Sequence, residues 1–397
     1  MRPGSPGFVG ARLTEAREAR GLSIAQVAEL SNVTRQAVSQ YEKNRTTPSP
    51  DVALRLAQSL EMPLSFFWLP PVEEEGSAIF FRSLAAATKA DRAMARRRLA
   101  WLKRIAFYLH EYVDLPNLSI PVIDVPSTLT AISDDRIEEA ATMARRHWGL
   151  GDGPISNMVW LLENNGAVTA RSALDAESLD GLSSWLEGDS RPYIFLGSDK
   201  GVAVRSRYDV AHELGHIVLH RHITKTEANV PSNHRLMEDQ AHRFASAFLL
   251  PATAFARELV TPTLDAMRMM KEKWQTSVGT MILRAKAIDL IGEDQMRALL
   301  ISRTRRGWRQ HEPLDDVLRP EQTRVLQRSF QMLVDARVKT PEQIQQELSL
   351  HPSDITELAN LPPDFFGDIP PNVRLASRYK QNNSNLSNTP LRIVTLA

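Results

Sequence analysis

The chain contains no cysteine, so disulfides and thiolate metal sites are excluded, and the composition suits a reducing compartment. It also lacks any apolar run as long as the roughly eighteen residues that a membrane span requires. Its first residues, Met-Arg-Pro-Gly-Ser-Pro-Gly, contain no apolar core of a signal peptide. We therefore expect a cytoplasmic protein that makes no membrane contact.

A strong net charge is missing as well, since the formal charge is +1. The overall charge therefore does not point to any class of partner. Basic residues are concentrated between residues 82 and 107, around Arg96-Arg97-Arg98. A helix there could lie along a DNA backbone. We favour the other interpretation, a solvated face or one that pairs with acidic groups.

The most informative segment is His212-Glu213-Leu214-Gly215-His216. Residues four apart share a helix face, so both imidazoles can reach one metal ion, with Glu213 beside them. A zinc peptidase needs two neutral nitrogen ligands and a carboxylate that takes a proton from water. The flanking residues are mostly apolar, which predicts a buried helix in which such groups need partners. The alternative is a pair of core histidines that are satisfied by hydrogen bonds.

A third ligand is expected on the next helical stretch, Met237 to Pro251. An apolar stripe at helical spacing predicts the buried face of this helix; its members are Ala241, Phe244, Ala245, Phe248 and Leu249. Glu238 lies one turn before Ala241 on the same face, so its carboxylate can enter the site. His242 is the competing ligand, although a solvated position suits it better. Zinc is the expected metal, but manganese or iron also accept two histidines and a carboxylate.

These residues resemble a known family. The stretch from about Glu138 to Pro251 is similar to the ImmA/IrrE zinc metallopeptidase domain in its His-Glu-Leu-Gly-His helix and in the helix that follows. The second helix matches the family pattern at Glu238, Ala241, Phe244, Ala245, Leu249 and Pro251. It departs at Phe248, where the family commonly has leucine. The segments Asp180–Trp185 and Pro192–Leu196 also look like strands of this family.

The resemblance implies a zinc-dependent endopeptidase that binds Zn2+. Its metal ligands would be His212, His216 and Glu238, and its general base would be Glu213. Members of the family cleave helix-turn-helix repressors, which implies a repressor-type protein substrate. Tyr208, His220, His222 and His234 lie near the motif in sequence, and sequence distance does not choose an oxyanion-stabilising residue among them.

A separate pattern occupies the first seventy residues. Ser23 and Gln26 form a capping box at the start of a short helix that ends near Leu30. Asn32 suits the left-handed backbone of a tight turn, and Thr34 can cap the next helix, Arg35 to Lys43. Two short helices joined by a three-residue turn are a helix-turn-helix. The expected apolar core comprises Leu13, Ala16, Leu22, Val27, Ala28, Val33, Val38, Leu54, Ala57 and Leu60.

Residues 8 to 69 resemble the XRE (lambda- and 434-repressor-like) DNA-binding domain. The resemblance is clearest in Gly21-Leu22-Ser23, in Val38-Ser39-Gln40-Tyr41-Glu42 and in Pro48. It implies that the bases of a double-stranded operator are read by Arg35, Gln36, Ser39 and Gln40. It also places near phosphates Lys43, Asn44 and Arg45. Arginine can bind guanine and glutamine can bind adenine. The alternative is a helical protein-interaction module with a polar outer face.

The expected fold is mainly α with a small β-sheet (α+β). It begins with a five-helix repressor-like domain at 8–69 and a linker with a basic helix at 70–118. A zincin-like metallopeptidase domain with a helical extension follows at 119–313, then a helical unit at 314–366 and a poorly ordered tail at 367–397. The helices of the carboxy-terminal unit are expected at Glu321–Ala336, Pro341–Leu348 and Pro352–Ala359.

Together these patterns predict a DNA-binding transcriptional regulator with an attached zinc metallopeptidase. Its substrate would be a separate repressor or another copy of the chain, with the linker Pro70–Gly76 as a plausible cleavage site. A homodimer is expected, because repressor-like domains usually read two half-sites. The alternative is a non-enzymatic repressor or antitoxin whose metal domain serves sensing or dimerisation, and Glu213 argues against it. A third possibility makes the helix-turn-helix a docking surface for partner repressors.

Overall fold

The computed structural model describes residues 4–71, 80–81, 88–172, 181–185, 191–197, 202–228 and 230–367. Across these residues the chain is mainly helical with one small sheet, which confirms the expected fold class. Most of the linker Pro70–Gly76 and nearly all of the tail at 367–397 lie outside the described residues. None of the described helices combines the length and apolar character needed to cross a bilayer.

The amino-terminal domain has five helical elements, four α-helices and one 3-10 helix. They are α1 (Gly10–Ala19), α2 (Ile24–Leu30), α3 (Arg35–Glu42), α4 (Pro50–Ser59) and the 3-10 helix Leu64–Trp68. The capping box of α2 is present, and the Thr34 hydroxyl accepts a hydrogen bond from the backbone N–H of Ala37 at 3.1 Å. Asn32 has a φ of 51°, so it holds the left-handed turn that the sequence predicts.

The prediction that Leu54 belongs to the core of this domain is wrong. Leu54 is 49% exposed, whereas its neighbours Ala53, Leu56 and Ala57 are buried. The buried face of α4 follows positions 53, 56, 57 and 60, which is an i, i+3, i+4, i+7 stripe. Leu54 lies one residue off that stripe and therefore points to the outside of the domain.

The basic region forms a long helix, α5 (Lys89–His110), which begins at the N-cap Thr88. Most of its buried apolar residues belong to the same core as those of α1, whereas Phe107 is 53% exposed. Arg97 Nε donates to Glu18 Oε2 of α1 at 2.9 Å, and Arg98 donates to Ser172 Oγ at 2.9 Å. These contacts agree with the interpretation in which the basic helix pairs with other parts of the chain.

The sheet has the strand order β1-β3-β4-β2. Its strands are β1 (Phe80–Phe81), β2 (Val168–Ser172), β3 (Gly181–Ser184) and β4 (Tyr193–Gly197). β2 and β4 are parallel, while β3 pairs antiparallel with both β4 and β1. β3 and β4 lie in the two segments that the family resemblance implies, whereas β1 and β2 were not specified by the sequence.

The sheet separates two hydrophobic cores. Side chains alternate between the faces of a strand, and in β4 Tyr193 and Phe195 join the first core, whereas Ile194 and Leu196 join the second. The first core contains the helix-turn-helix domain and α5. The second core contains the helices on the other side of the sheet. Their bounds are α6 (Asp134–His147), α7 (Met158–Asn164), α8 (Ala203–Leu219), α9 (Lys225–Ala228), α10 (Pro231–Leu249), α11 (Ala252–Glu258), α12 (Leu264–Trp274), α13 (Val278–Ala287) and α14 (Glu293–Arg305).

Three carboxy-terminal helices complete the described chain. They are α15 (Val325–Asp335), α16 (Pro341–Leu348) and α17 (Pro352–Ala359), close to the expected segments. Most of their buried apolar residues belong to the first core, together with the helix-turn-helix domain and α5. The carboxy-terminal helices therefore pack against the amino-terminal domain.

Candidate functional site

Helix α8 carries the His-Glu-Leu-Gly-His motif in its carboxy-terminal half. Every residue from Asp209 to Leu219 is buried, and both motif histidines have almost no exposed surface. This agrees with the expectation of a helix that is enclosed by the domain. Imidazole and carboxylate groups in such a place need polar partners or a cation.

Gly215 allows α10 to approach α8 closely. A Cβ atom at this position would lie 3.2 Å from the Ala241 Cα and carbonyl O, and 3.2 Å from the Phe244 ring. Any larger side chain would push the two helices apart. Because Glu238 lies one turn before Ala241 on α10, this contact brings its carboxylate over the two histidines.

The three expected metal ligands meet at one point. His212 Nε2 and His216 Nε2 are 3.1 Å apart, and they lie 3.4 Å and 3.2 Å from the Glu238 carboxylate oxygens. Zinc–ligand bonds of about 2.0–2.1 Å in a tetrahedron give ligand–ligand separations of about 3.3 Å. The observed edges match that value, so two nitrogens and one oxygen fit a tetrahedral ion with a fourth position left for water or substrate.

The charge state of Glu238 also suits a cation. Burial disfavours its ionisation, but the hydrogen bond from His212 and the adjacent imidazole of His216 hold the pKa of this carboxyl well below its usual range. Its side chain keeps 17% of its surface exposed. The site therefore offers an ionised carboxylate and retains access to solvent.

Glu213 lies next to the sheet. Its side chain is fully buried, and a Cβ on Gly181 at the start of β3 would lie 3.3 Å from Glu213 Oε1. Glycine at position 181 therefore leaves room for the carboxylate. Glu213, the expected base, thus lies between α8 and β3.

His242, the competing ligand, is not part of the metal-ligand group. Its ring packs against the His212 ring at 4.4 Å between centroids, and its Nδ1 lies 3.3 Å from the Tyr208 hydroxyl. It also borders a cavity of about 500 Å³ that Tyr208 and Ser246 line. His242 therefore supports the flank of the site, half-buried, where the sequence favoured a solvated position.

The other neighbours of the motif occupy different places. His222 is exposed, and His234 Nε2 lies 3.9 Å from Glu238 Oε1. His220 lies behind His216, with 3.0 Å between their Nδ1 atoms, and its Nε2 is 3.0 Å from Gln240 Oε1. Burial lowers the pKa of His220 to about 3, helped by the adjacent His216. Sequence reasoning missed Gln240, and no local signal marks it.

The expected DNA-reading surface lies on α3. Arg35 and Gln36 are exposed, and Ser39 and Gln40 are half-buried on the outer part of the helix. On its opposite face α3 packs Val38 into the core. An ion pair between Arg17 Nε and Glu42 Oε1 at 2.6 Å also fixes this helix to α1.

Three positions follow α3 directly, and the family resemblance places them near phosphates. Lys43, Asn44 and Arg45 are exposed. Asn44 has a φ of 54°, and its side-chain oxygen accepts a hydrogen bond from the backbone N–H of Gly10 at 2.7 Å. Asn44 therefore also ties the end of α3 to the start of α1.

Two protein-family models match the chain. Residues 13–67 match a helix-turn-helix model, and residues 162–286 match a peptidase-family model described as the IrrE N-terminal-like domain. The first range covers α2 and α3, and the second covers the ligand helices α8 and α10. These matches confirm the two resemblances on which the sequence analysis rests.

Curated relatives match only the amino-terminal part. An HTH-type transcriptional regulatory protein of Methanocaldococcus jannaschii is 40% identical over 68 residues, which are 17% of this chain and 21% of the relative. The HTH-type transcriptional regulator SutR of Escherichia coli is 31% identical over 64 residues, 16% of this chain and 36% of the relative. The chain thus spans between a fifth and about a third of these relatives. It combines a segment similar to helix-turn-helix transcriptional regulators with one similar to the IrrE N-terminal-like peptidase-family domain.

Proposed function

We propose that this chain is a DNA-binding transcriptional regulator whose zinc metallopeptidase domain cleaves a helix-turn-helix repressor or another copy of itself. The observation that carries the proposal is the convergence of His212, His216 and Glu238 at the edge lengths of a tetrahedral metal site. The match of the surrounding residues to a peptidase-family model supports the same conclusion.

His212, His216 and Glu238 would hold the zinc ion, because two imidazole nitrogens and a carboxylate are a donor set typical of catalytic zinc. When bound, the ion supplies a Lewis acid that polarises a peptide carbonyl and lowers the pKa of water. Glu213 acts as the general base that takes the proton of the attacking water, and it then returns the proton to the departing amine. Its burial beside β3 keeps bulk water away from the carboxylate.

The test compares wild-type protein with Glu213→Gln after zinc loading. Each is incubated with helix-turn-helix repressors from the same genome, and the fragments are identified by mass spectrometry. We expect Glu213→Gln to retain zinc and to cleave about 10²–10⁴-fold more slowly, as the loss of a general base predicts. The exposed Glu227→Gln serves as the matched control and should cleave at the wild-type rate. Equal cleavage by wild type and Glu213→Gln would refute the enzymatic proposal.

The pairing of β1 with β3 beside Glu213 favours an extended substrate. β1 pairs antiparallel with β3, with Phe80 opposite Ser183 and Phe81 opposite Leu182. β1 belongs to the stretch between the helix-turn-helix domain and α5, and it adds to the strand whose first residue, Gly181, lies against Glu213. Strand addition of this kind is a general mode of peptide recognition. It favours the linker of another copy as one substrate, and fragments cut between residues 70 and 87 would identify it.

The DNA-binding part of the proposal rests on the exposed face of α3 and on the relatives named as transcriptional regulators. DNA selected from a random pool by the wild-type protein would serve as the probe. Replacing Arg35 and Gln36 by alanine should weaken specific binding by about 10–100-fold per lost contact, since each base contact contributes roughly 1–3 kcal/mol. The exposed Arg305→Ala is the matched control. Unchanged selectivity in the double variant would favour a docking role for this domain.

A homodimer would present two recognition helices to two half-sites about 34 Å apart. Sedimentation of the protein with the selected DNA measures this stoichiometry. Two chains on a palindromic site are the expected result, and one chain per site would contradict the dimer.

A further inference from the structure

A chain of buried polar groups runs away from the metal-ligand group toward the outside of the domain. His220 lies one turn after His216, at the C-cap of α8, and is fully buried. Its Nδ1 faces His216 Nδ1 at 3.0 Å, and its Nε2 faces Gln240 Oε1 at 3.0 Å. Gln240 is buried on α10, two residues after Glu238. The two helices that supply the metal ligands therefore also share this second contact.

The direction of the hydrogen bonds follows from the far end of the chain. Gln240 Nε2 lies 2.8 Å from the carbonyl O of Leu129 and 3.1 Å from that of Ile132. Carbonyl oxygens only accept, so the amide must present its N–H donors to them. The amide oxygen then faces His220, and it too can only accept. Nε2 of His220 must therefore carry a proton.

The same logic fixes the next imidazole. A neutral imidazole protonated at Nε2 has a lone pair at Nδ1, so Nδ1 of His220 accepts a hydrogen bond from the Nδ1–H of His216. With Nδ1 protonated, neutral His216 keeps its lone pair on Nε2. That nitrogen is the atom that lies 3.1 Å from His212 Nε2 and 3.2 Å from Glu238 Oε1.

We propose that Gln240 and His220 are positioning residues that lock His216 in the tautomer whose Nε2 lone pair points at the metal site. The inference rests on the proposed metal site, but its first prediction concerns the metal-free protein. Metal-binding histidines need a partner on the second nitrogen, because that partner sets the tautomer and the ring orientation. In this chain the partner is the neutral imidazole of His220, which donates to Gln240, and two backbone carbonyls in turn orient the Gln240 amide. We call the hydrogen-bonded chain Gln240–His220–His216 the relay. It anchors the proposed metal ligands to the 3-10 turn Leu129–Ala131, which precedes α6.

The first measurement is the tautomer of each histidine in metal-free, 15N-histidine-labelled protein near pH 7.5, read from long-range proton–nitrogen correlation spectra. Single histidine substitutions assign the signals. We expect His216 to be protonated at Nδ1 and His220 at Nε2. In Gln240→Met, which keeps the shape but removes the amide, both should become mixtures of the two tautomers. An Nε2-protonated His216 in the wild type would overturn the proposal whether or not the protein binds zinc.

The second measurement is zinc affinity by competition with a coloured chelator. His220→Phe and Gln240→Met should weaken binding by about 10–100-fold, as the loss of outer-shell partners typically does. His222→Phe, at an exposed site two residues further on, is the matched control and should bind as the wild type does. Thermal unfolding of the metal-free variants identifies any that fail to fold, and the tautomers of the wild type remain decisive in that case. If folded His220→Phe and Gln240→Met bind zinc with the affinity of the wild type, the proposal is overturned. If neither the wild type nor any variant binds zinc while the wild type shows the expected tautomers, the proposed function is refuted and the relay is supported.

Discussion

Glu163, near the end of α7, is a buried carboxyl outside the proposed metal site. Its Oε1 accepts a hydrogen bond from Thr169 Oγ1 at 2.6 Å, and its two oxygens lie 3.1 and 3.2 Å from the backbone N of Arg324. Burial raises the pKa of Glu163 to about 7, and these hydrogen bonds offset only part of the effect. Glu163 therefore links β2 to the segment that leads into α15. Ionisation of this buried carboxyl lowers the stability of the fold.

This pKa predicts a specific pH dependence of stability. The folded value of about 7 exceeds the ordinary value of 4.5, so the folded state binds the proton more tightly. The stability contributed by this proton is complete below about pH 4.5 and is lost as the pH rises through 7. Relative to Glu163→Gln, the wild type should lose up to about 3 kcal/mol of unfolding free energy between pH 5 and 8. Urea unfolding of both proteins across this range measures the difference, and parallel curves would contradict it.

The contact between α8 and α10 sets the geometry of the site at the scale of elements. A methyl group at Gly215 would meet the Ala241 backbone at 3.2 Å, and backbone atoms cannot rotate away. We expect Gly215→Ala to destabilise the fold by about 1–3 kcal/mol, as overpacking does, and to weaken zinc binding because Glu238 moves with α10. Thermal unfolding and chelator competition measure the two effects. Gly292→Ala is the matched control, since a methyl there meets nothing within 4 Å; equal behaviour of the two variants would refute the argument.

The two helices that carry the proposed metal ligands could be predicted because each depends on a pattern within one helix. The spacing of His212 and His216 and the position of Glu238 before an apolar stripe are both local, and the structure brings these three residues together. The partners of Gln240 could not be predicted, because the Leu129 carbonyl is 111 positions away and belongs to the backbone. Every residue type has a backbone carbonyl, so the sequence does not indicate which carbonyl accepts such a hydrogen bond. The pairing of β1 with β3 was missed for a related reason, since a two-residue strand has no periodicity.

At the scale of the whole molecule, the two ends of the described chain are joined by a buried ion pair. Arg20 at the end of α1 binds Asp354 of α17 through two hydrogen bonds of 2.6 and 2.7 Å, across 334 positions of sequence. Arg20 Nε also donates to the Leu60 carbonyl at 2.9 Å. The carboxy-terminal helices, for which the sequence offers no motif, are therefore attached to the helix-turn-helix domain by charge as well as by the shared core.

Breaking this pair should cost far more than losing a surface contact. Asp354→Ala leaves the buried Arg20 guanidinium without its counter-ion, and removing one partner of a buried pair typically costs about 3–5 kcal/mol. The double variant Arg20→Met/Asp354→Leu should recover much of that loss, because no buried charge is left unpaired. Asp316→Ala, at a side chain that is 86% exposed, is the control and should change stability by less than about 1 kcal/mol. Denaturant unfolding of the full chain measures all three variants. If Asp354→Ala and Asp316→Ala unfold at the same midpoint, the ion pair does not couple the two ends of the molecule. The apolar core alone then holds the carboxy-terminal helices against the helix-turn-helix domain.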